Sequence, residues 1–144
     1  MKEITGIGHI AIRVKDVDRT LDFYVKKLGF DEMFRLERDG KLWIIYLRVT
    51  DDQYLEVFPE AAGDRAPPHE ANGLNHFCAA VSNLDAALDK ITAAGIPIAC
   101  EKQLGVDGNL QAWLEDPDGN RIELMQMAPD SMQLQAVKRM RAAG

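Results

Sequence analysis

The chain is built from two related halves, and this repetition limits its possible folds more than any other feature of the sequence. The segment Gly6–Ala11 (GIGHIA) aligns with Gly73–Cys78 (GLNHFC), and the two histidines are 67 positions apart. Near the end of each half, Leu55–Val57 (LEV) aligns with Ile122–Leu124 (IEL), again 67 positions apart. Repetition of this kind predicts two copies of one supersecondary unit with the same order of helices and strands.

The spacing of apolar residues predicts the order strand, helix and three strands in both halves. Strict alternation of apolar and polar residues indicates strands, and an apolar stripe that ends at a glycine indicates a helix. In the first half we expect a helix over 18–28, with the stripe Leu21, Tyr24, Val25 and Leu28, and strands over 8–14, 30–38, 42–49 and 54–58. In the second half we expect a helix over 84–94 and strands over 76–81, 96–100, 109–115 and 121–127. The predicted fold class is α+β: two βαβββ modules whose curved mixed sheets form a cup.

The predicted domain organisation is a single domain over 1–128 with a helical tail over 129–144. The first module is expected at about 4–60 and the second at about 73–128. The linker between them, 61–72, contains the polar stretch Asp64–Pro68, whose two prolines cannot continue a regular element. In the tail, the sequence of residues 131–142 predicts a polar helix with a thin apolar stripe. We expect this helix to pack either on its own domain or across a dimer interface.

Four polar residues lie on the strand faces that point away from the helices. In the first strand the apolar residues at 10, 12 and 14 alternate with His9, so His9 projects from the face opposite the helix. Glu56, His76 and Glu123 occupy the corresponding positions by the same alternation. A lone histidine or glutamate on a strand is usually a solvated surface residue. Here, however, two of the three histidines in the chain occupy equivalent positions of the repeat, and the two glutamates do likewise.

Two imidazoles and two carboxylates around a common centre are a ligand set for a divalent cation. Bare carboxylates at one point would repel each other, whereas nitrogen and oxygen donors without a thiolate favour Zn²⁺, Ni²⁺, Co²⁺, Mn²⁺ or Fe²⁺. The sequence therefore predicts one divalent metal ion held by His9, Glu56, His76 and Glu123 within the cup.

Composition excludes several other classes of function. A net charge of −6 is unfavourable for a nucleic-acid groove, which needs a basic surface. No apolar run approaches the roughly 20 residues that cross a bilayer, and the N-terminal segment does not resemble a signal peptide. Two cysteines cannot form a disulfide framework, and Cys78 is expected to be a small buried hydrophobe. We therefore expect a cytoplasmic protein that binds a small molecule, with neither nucleic acid nor membrane as a partner.

The sequence resembles the vicinal oxygen chelate superfamily of glyoxalases, bleomycin-resistance proteins and extradiol dioxygenases. The resemblance rests on the doubled βαβββ pattern, the opening HIAIRVKDVDRTLDFYVKKLGF and the closing WLEDPDGNRIELMQ, and it covers about residues 4–127. It implies paired modules that form a metal-binding cup, usually in a homodimer whose sites are sometimes built across subunits. The family's metal ligands fall on His9, Glu56, His76 and Glu123, the same residues that the repeat selects.

The resemblance is nearest to glyoxalase I-like proteins, because a carboxylate stands at Glu56. Dioxygenases typically use two histidines and one carboxylate, and methylmalonyl-CoA epimerases commonly have glutamine at this position. Arg13 matches a glyoxalase position that engages a glutathione carboxylate. Two positions depart from the pattern: Glu60 stands where glyoxalases usually have asparagine, and the lid stretch 103–109 lacks their Lys-Gly pair. Both departures count against glutathione as a cosubstrate.

The chemistry implied is proton abstraction and return through a metal-bound enediolate on a small oxygen-rich substrate. In the resembling enzymes the glutamate at Glu123 takes the proton, and Glu56 is the second candidate. Return of the proton to the adjacent carbon is isomerisation, as in a glyoxalase I-like lyase or isomerase; return to the opposite face is epimerisation. The alternatives are a superfamily epimerase, an extradiol dioxygenase and a drug-sequestering resistance protein.

Three further residues are expected to bind the substrate. Arg13 shares the face of His9 and is expected to contact an anionic or polar end of the substrate. Trp113 and Gln111 share one face of the strand 109–115 and are expected to form a wall of the cup, although Trp113 is equally suited to core packing. Tyr46 and Arg48 are weaker candidates in the first half, and His69 in the linker is expected to be exposed to solvent.

Overall fold

The computed structural model describes residues 3–143, so Met1, Lys2 and Gly144, at the ends of the predicted domain and tail, lie outside the described residues. The described chain divides into two compact units. The first runs up to Pro67 and includes the short segment Asp116–Gly119. The second comprises Pro68–Glu115 and the chain from Asn120 onward. The boundary at Pro67 falls within the predicted linker, where the chain forms no helix or strand.

The first unit contains a four-stranded mixed sheet and one helical segment. Its elements are β1 (His9–Arg13), α1 (Val17–Leu21), a π-helical segment (Asp22–Lys27), β2 (Asp31–Arg38), β3 (Lys41–Thr50) and β4 (Gln53–Phe58). The strand order is β1-β4-β3-β2, with β1 parallel to β4 and the remaining pairs antiparallel. A crossover through the helix makes the parallel pair possible, because a parallel partner cannot be reached by a tight turn.

The second unit repeats this arrangement. Its elements are β5 (Phe77–Ala80), α2 (Leu84–Ala93), β6 (Cys100–Leu104), β7 (Leu110–Glu115), β8 (Arg121–Gln126) and α3 (Met132–Ala142). The strand order is β5-β8-β7-β6, with β5 parallel to β8. The predicted α+β class with two βαβββ modules is therefore confirmed. None of the helices in the described part of the chain is long and apolar enough to cross a bilayer.

The core of each unit consists of the apolar positions that alternate along the strands, together with the apolar side of the helix. The first unit buries mainly Ile12, Ile45, Leu47, Leu55 and Val57 from its strands, together with Val14 directly after β1. The second buries Ala112, Leu114, Ile122 and Leu124 from its strands and Leu84 and Ile91 from α2. The alternation that predicted the strands thus also predicted which face of each sheet packs in the core.

The first helix differs from its prediction as a continuous α-helix over 18–28. Asp16 caps α1 by accepting a hydrogen bond from the amide of Arg19 at 3.1 Å. After Leu21 the chain widens into the π-helical segment, in which the amide of Leu28 donates to the carbonyl of Phe23 at 2.9 Å. The wider turn rotates the following side chains, so that Phe23 joins Tyr24 in the core, whereas Leu21 and Leu28 of the predicted stripe are only half-buried.

The strand predicted over 96–100 is wrong. Residues 96–99 form no strand, and β6 begins at Cys100. Pro97 has no backbone N–H to donate, and Ile96 is buried next to the end of α2 instead of pairing with a neighbouring strand. The true strand, Cys100–Leu104, is mostly exposed and carries little apolar signal.

Candidate metal and substrate site

The first of two His–Glu pairs lies on the parallel strands β1 and β4. Glu56 pairs with Ala11 across the two strands, and His9 lies two residues before Ala11 on the same face. Nε2 of His9 is 3.7 Å from Oε1 of Glu56. Glu56 is buried, with 7% of its surface exposed, whereas His9 is exposed. The first unit therefore presents one imidazole nitrogen and one carboxylate oxygen at a single point.

The second pair reproduces this geometry, with Glu123 on β8 and His76 immediately before β5. Glu123 pairs with Cys78, the position equivalent to Ala11, and His76 lies two residues before Cys78. Nε2 of His76 is 3.2 Å from Oε2 of Glu123. The strand register is identical in both units, because every residue of the second pair lies 67 positions after its counterpart. The sequence repeat is thus a repeat of the site geometry as well.

Each glutamate also faces an aromatic residue on the neighbouring antiparallel strand. Tyr46 pairs with Glu56, and Trp113, at the equivalent position, pairs with Glu123. The Tyr46 hydroxyl donates a hydrogen bond to Glu56, and this bond is the main reason that the pKa of Tyr46 is raised above 10.0. The Trp113 ring meets the His76 imidazole edge-on, with ring centroids 4.7 Å apart.

Tyr46, a weaker candidate by sequence, contacts the first pair directly. Its hydrogen bond to Glu56 makes it part of the first pair's surroundings. The signal that could have found it is the repeat, because Tyr46 lies 67 positions before Trp113, a residue that was selected.

The prediction that Cys78 is buried is wrong. Cys78 is exposed in the second unit, because it lies on the face of β5 opposite the helix, beside Glu123. Partial desolvation, the adjacent Glu123 and a weaker contribution from Asp107 raise the pKa of the Cys78 thiol to about 12. Cys78 is therefore an exposed, neutral thiol beside the second pair and not a core residue.

The three predicted substrate-binding residues lie near these pairs along their strands. Arg13 is exposed on the face of His9; its Nη1 donates to the carbonyl of Pro59 at 3.2 Å, and its guanidinium lies 5.4 Å from the centre of the Phe58 ring. Gln111 and Trp113 are half-buried on one face of β7. Their contact with a substrate stays a prediction. Outside the pairs, His69 is exposed, as predicted, and its Nε2 is 3.0 Å from Oε1 of Glu70.

Asn75 was not selected from the sequence. Its side-chain oxygen is 2.8 Å from Nδ1 of His76 and accepts a hydrogen bond from Nη1 of Arg121 at 3.1 Å. The equivalent residue of the first half is Gly8, which has no side chain, so the repeat could not indicate this role.

The donors of the two pairs fit a divalent cation of the predicted kind, although each pair supplies only two ligands. Imidazole nitrogen and carboxylate oxygen are the ligands that Zn²⁺, Ni²⁺, Co²⁺, Mn²⁺ and Fe²⁺ accept without a thiolate. Within residues 3–143, no three or more histidine, cysteine, aspartate or glutamate side chains converge as a metal-binding group. The structure thus brings His9 to Glu56 and His76 to Glu123, and the combination of all four around one ion stays a prediction.

The sequence and the fold of this chain are similar to those of proteins from one superfamily. The profile of the Glyoxalase/Bleomycin resistance protein/Dioxygenase superfamily matches residues 6–124. A lactoylglutathione lyase of Pseudomonas putida is 28% identical over 150 residues, which cover 85% of this chain and 85% of that protein. A catechol-2,3-dioxygenase of Bacillus subtilis is 30% identical over 132 residues, covering 90% of this chain and 44% of that protein. The solved structure of a glyoxalase family protein from Enterococcus faecalis has a TM-score of 0.75 and 27% identity, covering 85% of this chain and 98% of that one.

Proposed function

The chain belongs to the Glyoxalase/Bleomycin resistance protein/Dioxygenase superfamily, and from that premise we propose that it is a glyoxalase I-like lyase or isomerase. Enzymes are common in this superfamily, and they typically use a divalent metal and act on small molecules. The proposed reaction moves a proton between adjacent carbons of a small oxygen-rich substrate. One observation carries the proposal: the same His–Glu pair occurs twice, at the same strand register.

The proposed metal ligands are His9, Glu56, His76 and Glu123, which would hold one Zn²⁺, Ni²⁺, Co²⁺, Mn²⁺ or Fe²⁺ ion. When bound, such an ion acts as a Lewis acid that stabilises negative charge developing on a substrate oxygen. The burial of Glu56 supports this assignment, because a buried carboxylate needs a cation or hydrogen-bond donors to offset the loss of water. We extend the proposal to a cytoplasmic homodimer, the usual form of the family.

In the proposed reaction Glu123 is the general base. Its carboxylate removes the proton from a carbon next to the substrate carbonyl and returns it to the neighbouring carbon, so that no net proton is gained or lost. The residues opposite the two glutamates support this choice over Glu56. Tyr46 donates a hydroxyl hydrogen bond to Glu56, whereas Glu123 faces Trp113, which has no hydroxyl, and accepts the weaker hydrogen bond of the Cys78 thiol.

The proposed substrate is a small molecule with two adjacent oxygens and a polar or anionic end. Arg13 would bind the anionic end, while Trp113 and Gln111 would form a wall beside the reacting carbons. Glu60 supports a substrate other than a glutathione adduct, because a carboxylate at the position of the usual asparagine would repel a glutathione carboxylate. Glutathione as a cosubstrate is nevertheless the first possibility to test.

The ligand assignment is tested by metal analysis of the purified full chain. Stoichiometric divalent metal is expected in the wild type and should be lost in Glu56→Ala and His76→Ala. The matched controls are Glu60→Ala and His69→Ala, which remove the same side chains at exposed positions outside the pairs. Equal metal content in all five proteins would refute the ligand assignment, and a metal-free wild type that binds a drug would favour sequestration.

The reaction is tested with methylglyoxal and glutathione on the metal-loaded protein. Formation of the thioester, abolished in Glu123→Gln with metal retained, would support a glyoxalase I reaction. If no thioester forms, exchange of a substrate proton with deuterated solvent across a panel of hydroxyketones and keto acids tests the broader class. Oxygen consumption by the Fe²⁺-loaded protein would instead favour a dioxygenase.

A further inference from the structure

Asn75 lies against the imidazole of His76 and is held in place from two other directions. Its amide nitrogen donates to the backbone carbonyl of His69, and its amide oxygen accepts from Nη1 of Arg121 at 3.1 Å. A guanidinium can only donate hydrogen bonds and a carbonyl can only accept them. The orientation of the Asn75 amide is therefore fixed by its partners, with the oxygen towards Arg121 and His76.

The orientation of the amide determines which nitrogen of a neutral His76 ring carries the proton. Nδ1 of His76 is 2.8 Å from the Asn75 oxygen, which has no proton to give, so Nδ1 must be the donor. In a neutral imidazole the other nitrogen, Nε2, then carries a lone pair. Nε2 is the atom that lies 3.2 Å from the carboxylate oxygen of Glu123.

We infer that Asn75 is a positioning residue that holds His76 in the Nδ1–H tautomer and directs its Nε2 lone pair towards a cation shared with Glu123. Two lone pairs that face each other across 3.2 Å are satisfied when one cation binds both. A hydrogen bond from the second ring nitrogen is the usual way in which proteins orient a histidine ligand. The cation, and with it an unprotonated Nε2, rests on the proposed function, whereas the donation from Nδ1–H to Asn75 does not. Without a cation, a proton on Nε2 can bond to the Glu123 oxygen instead.

The surrounding side chains restrain the same ring. The Arg121 guanidinium lies 4.6 Å from the centre of the Trp113 ring, and Trp113 in turn meets the His76 ring edge-on. Asn75, Arg121 and Trp113 thus form a continuous set of contacts around one imidazole. The first half lacks a side-chain acceptor at this position, because Gly8 is the equivalent of Asn75.

The tautomer is tested by ¹⁵N NMR of the full chain labelled at histidine, without metal and above the ordinary imidazole pKa of about 6.5. His76→Gln identifies the signals of His76 among the three histidines. We expect the wild type to show a proton on Nδ1, and Asn75→Leu to lose this preference; after addition of Zn²⁺ the wild type should show an unprotonated Nε2. Asn75→Asp, which keeps the acceptor oxygen, should retain it, and Asn72→Leu is the control for an exposed asparagine in the same loop.

The second readout is the affinity for Co²⁺ alone, followed by its visible absorption. Asn75→Leu should weaken binding roughly tenfold, at the lower end of the range for such residues because Asn75 is exposed. Asn75→Asp should bind at least as tightly as the wild type. Circular dichroism checks that each variant is folded.

Two results would overturn the inference: a wild-type His76 without a proton on Nδ1, or an unchanged preference for the Nδ1 proton in Asn75→Leu. Failure of the proposed function has a different signature. In that case wild-type protein binds no Co²⁺, while the proton on Nδ1 of His76 still depends on residue 75.

Discussion

Replacing Tyr24 with phenylalanine tests the main buried polar contact of the first unit. The Tyr24 side chain is fully buried, and its hydroxyl donates to Oδ2 of Asp116 at 3.0 Å. Asp116 is itself only 6% exposed. The substitution keeps the aromatic ring and removes only the donor, so that it isolates the hydrogen bond from the packing.

The expected cost near neutral pH is about 2 kcal/mol of unfolding free energy. A hydrogen bond to a charged group contributes about 1.5–3 kcal/mol, and the loss here falls in the lower part of that range. The reason is that Asp116 keeps other interactions, including the amide of Asp118, which donates to Oδ1 at 2.9 Å.

The cost should also depend on pH in a defined direction. Burial, followed by the charge of Asp116 and the hydrogen bond to it, raises the pKa of Tyr24 well above 10.0. The stability that Tyr24 contributes is therefore fully present below pH 10, the unfolded value, and is lost as the pH rises towards the folded value. Between pH 10 and the raised folded value, the difference in unfolding free energy between wild type and Tyr24→Phe should fall by roughly 1.4 kcal/mol per pH unit. The reason is that only the wild type has this hydroxyl to ionise on unfolding.

Urea denaturation followed by the fluorescence of Trp43, which lies in β3 of the first unit, measures both effects. Tyr54→Phe is the matched control: its hydroxyl donates to the carbonyl of Asp51 at 2.7 Å on the exposed side of the unit, so the expected cost is under about 1 kcal/mol. A loss below about 0.5 kcal/mol in Tyr24→Phe, or a gap that stays constant at alkaline pH, would refute the reasoning.

Three further substitutions give defined outcomes. Tyr46→Phe should weaken Co²⁺ binding roughly tenfold in a titration, because Glu56 loses the hydroxyl that orients it; an unchanged affinity would remove Tyr46 from the site. Asp16→Ala should cost about 1 kcal/mol in urea denaturation, because α1 loses its cap at the Arg19 amide. Gly119→Ala should cost about 1 kcal/mol or more by the same measurement, because its φ is +82° and a Cβ would lie 2.8 Å from the Arg65 side chain.

The strands and their faces could be predicted because the signal is local and occurs twice. In β8, Ile122 and Leu124 are buried and alternate with half-buried Arg121 and Glu123, as the alternation of the sequence requires. A strand without this alternation of apolar and polar residues cannot be predicted in the same way. β6 is an edge strand with exposed side chains, and the apolar residues that suggested a strand lie before it, around Pro97.

The π-helical segment could not be predicted, since a helical stripe assumes one constant period. A single widened turn changes which residues face the core, and here it places Phe23 beside Tyr24, with ring centroids 5.0 Å apart.

Within the candidate site, the two His–Glu pairs could be predicted from the repeat, because both halves keep the same strand register. The role of Asn75 depends on Arg121, 46 positions away, and on the backbone of the linker, so it needed the three-dimensional structure.

The two His–Glu pairs have the same residues but different surroundings, and this difference suits the proposed reaction. The proposed ligand positions 9/76 and 56/123 carry the same residue in both halves, whereas their neighbours differ: glycine and asparagine at 8/75, tyrosine and tryptophan at 46/113. Each difference changes the hydrogen bonding of one ligand, since Tyr46 donates to Glu56 and Asn75 accepts from His76. Equal surroundings would give both glutamates equal tendency to take a proton, and a substrate could then be attacked from either side. Distinct surroundings allow one carboxylate to remain a bound, oriented ligand while the other exchanges the proton, which a reaction with a single stereochemical outcome requires.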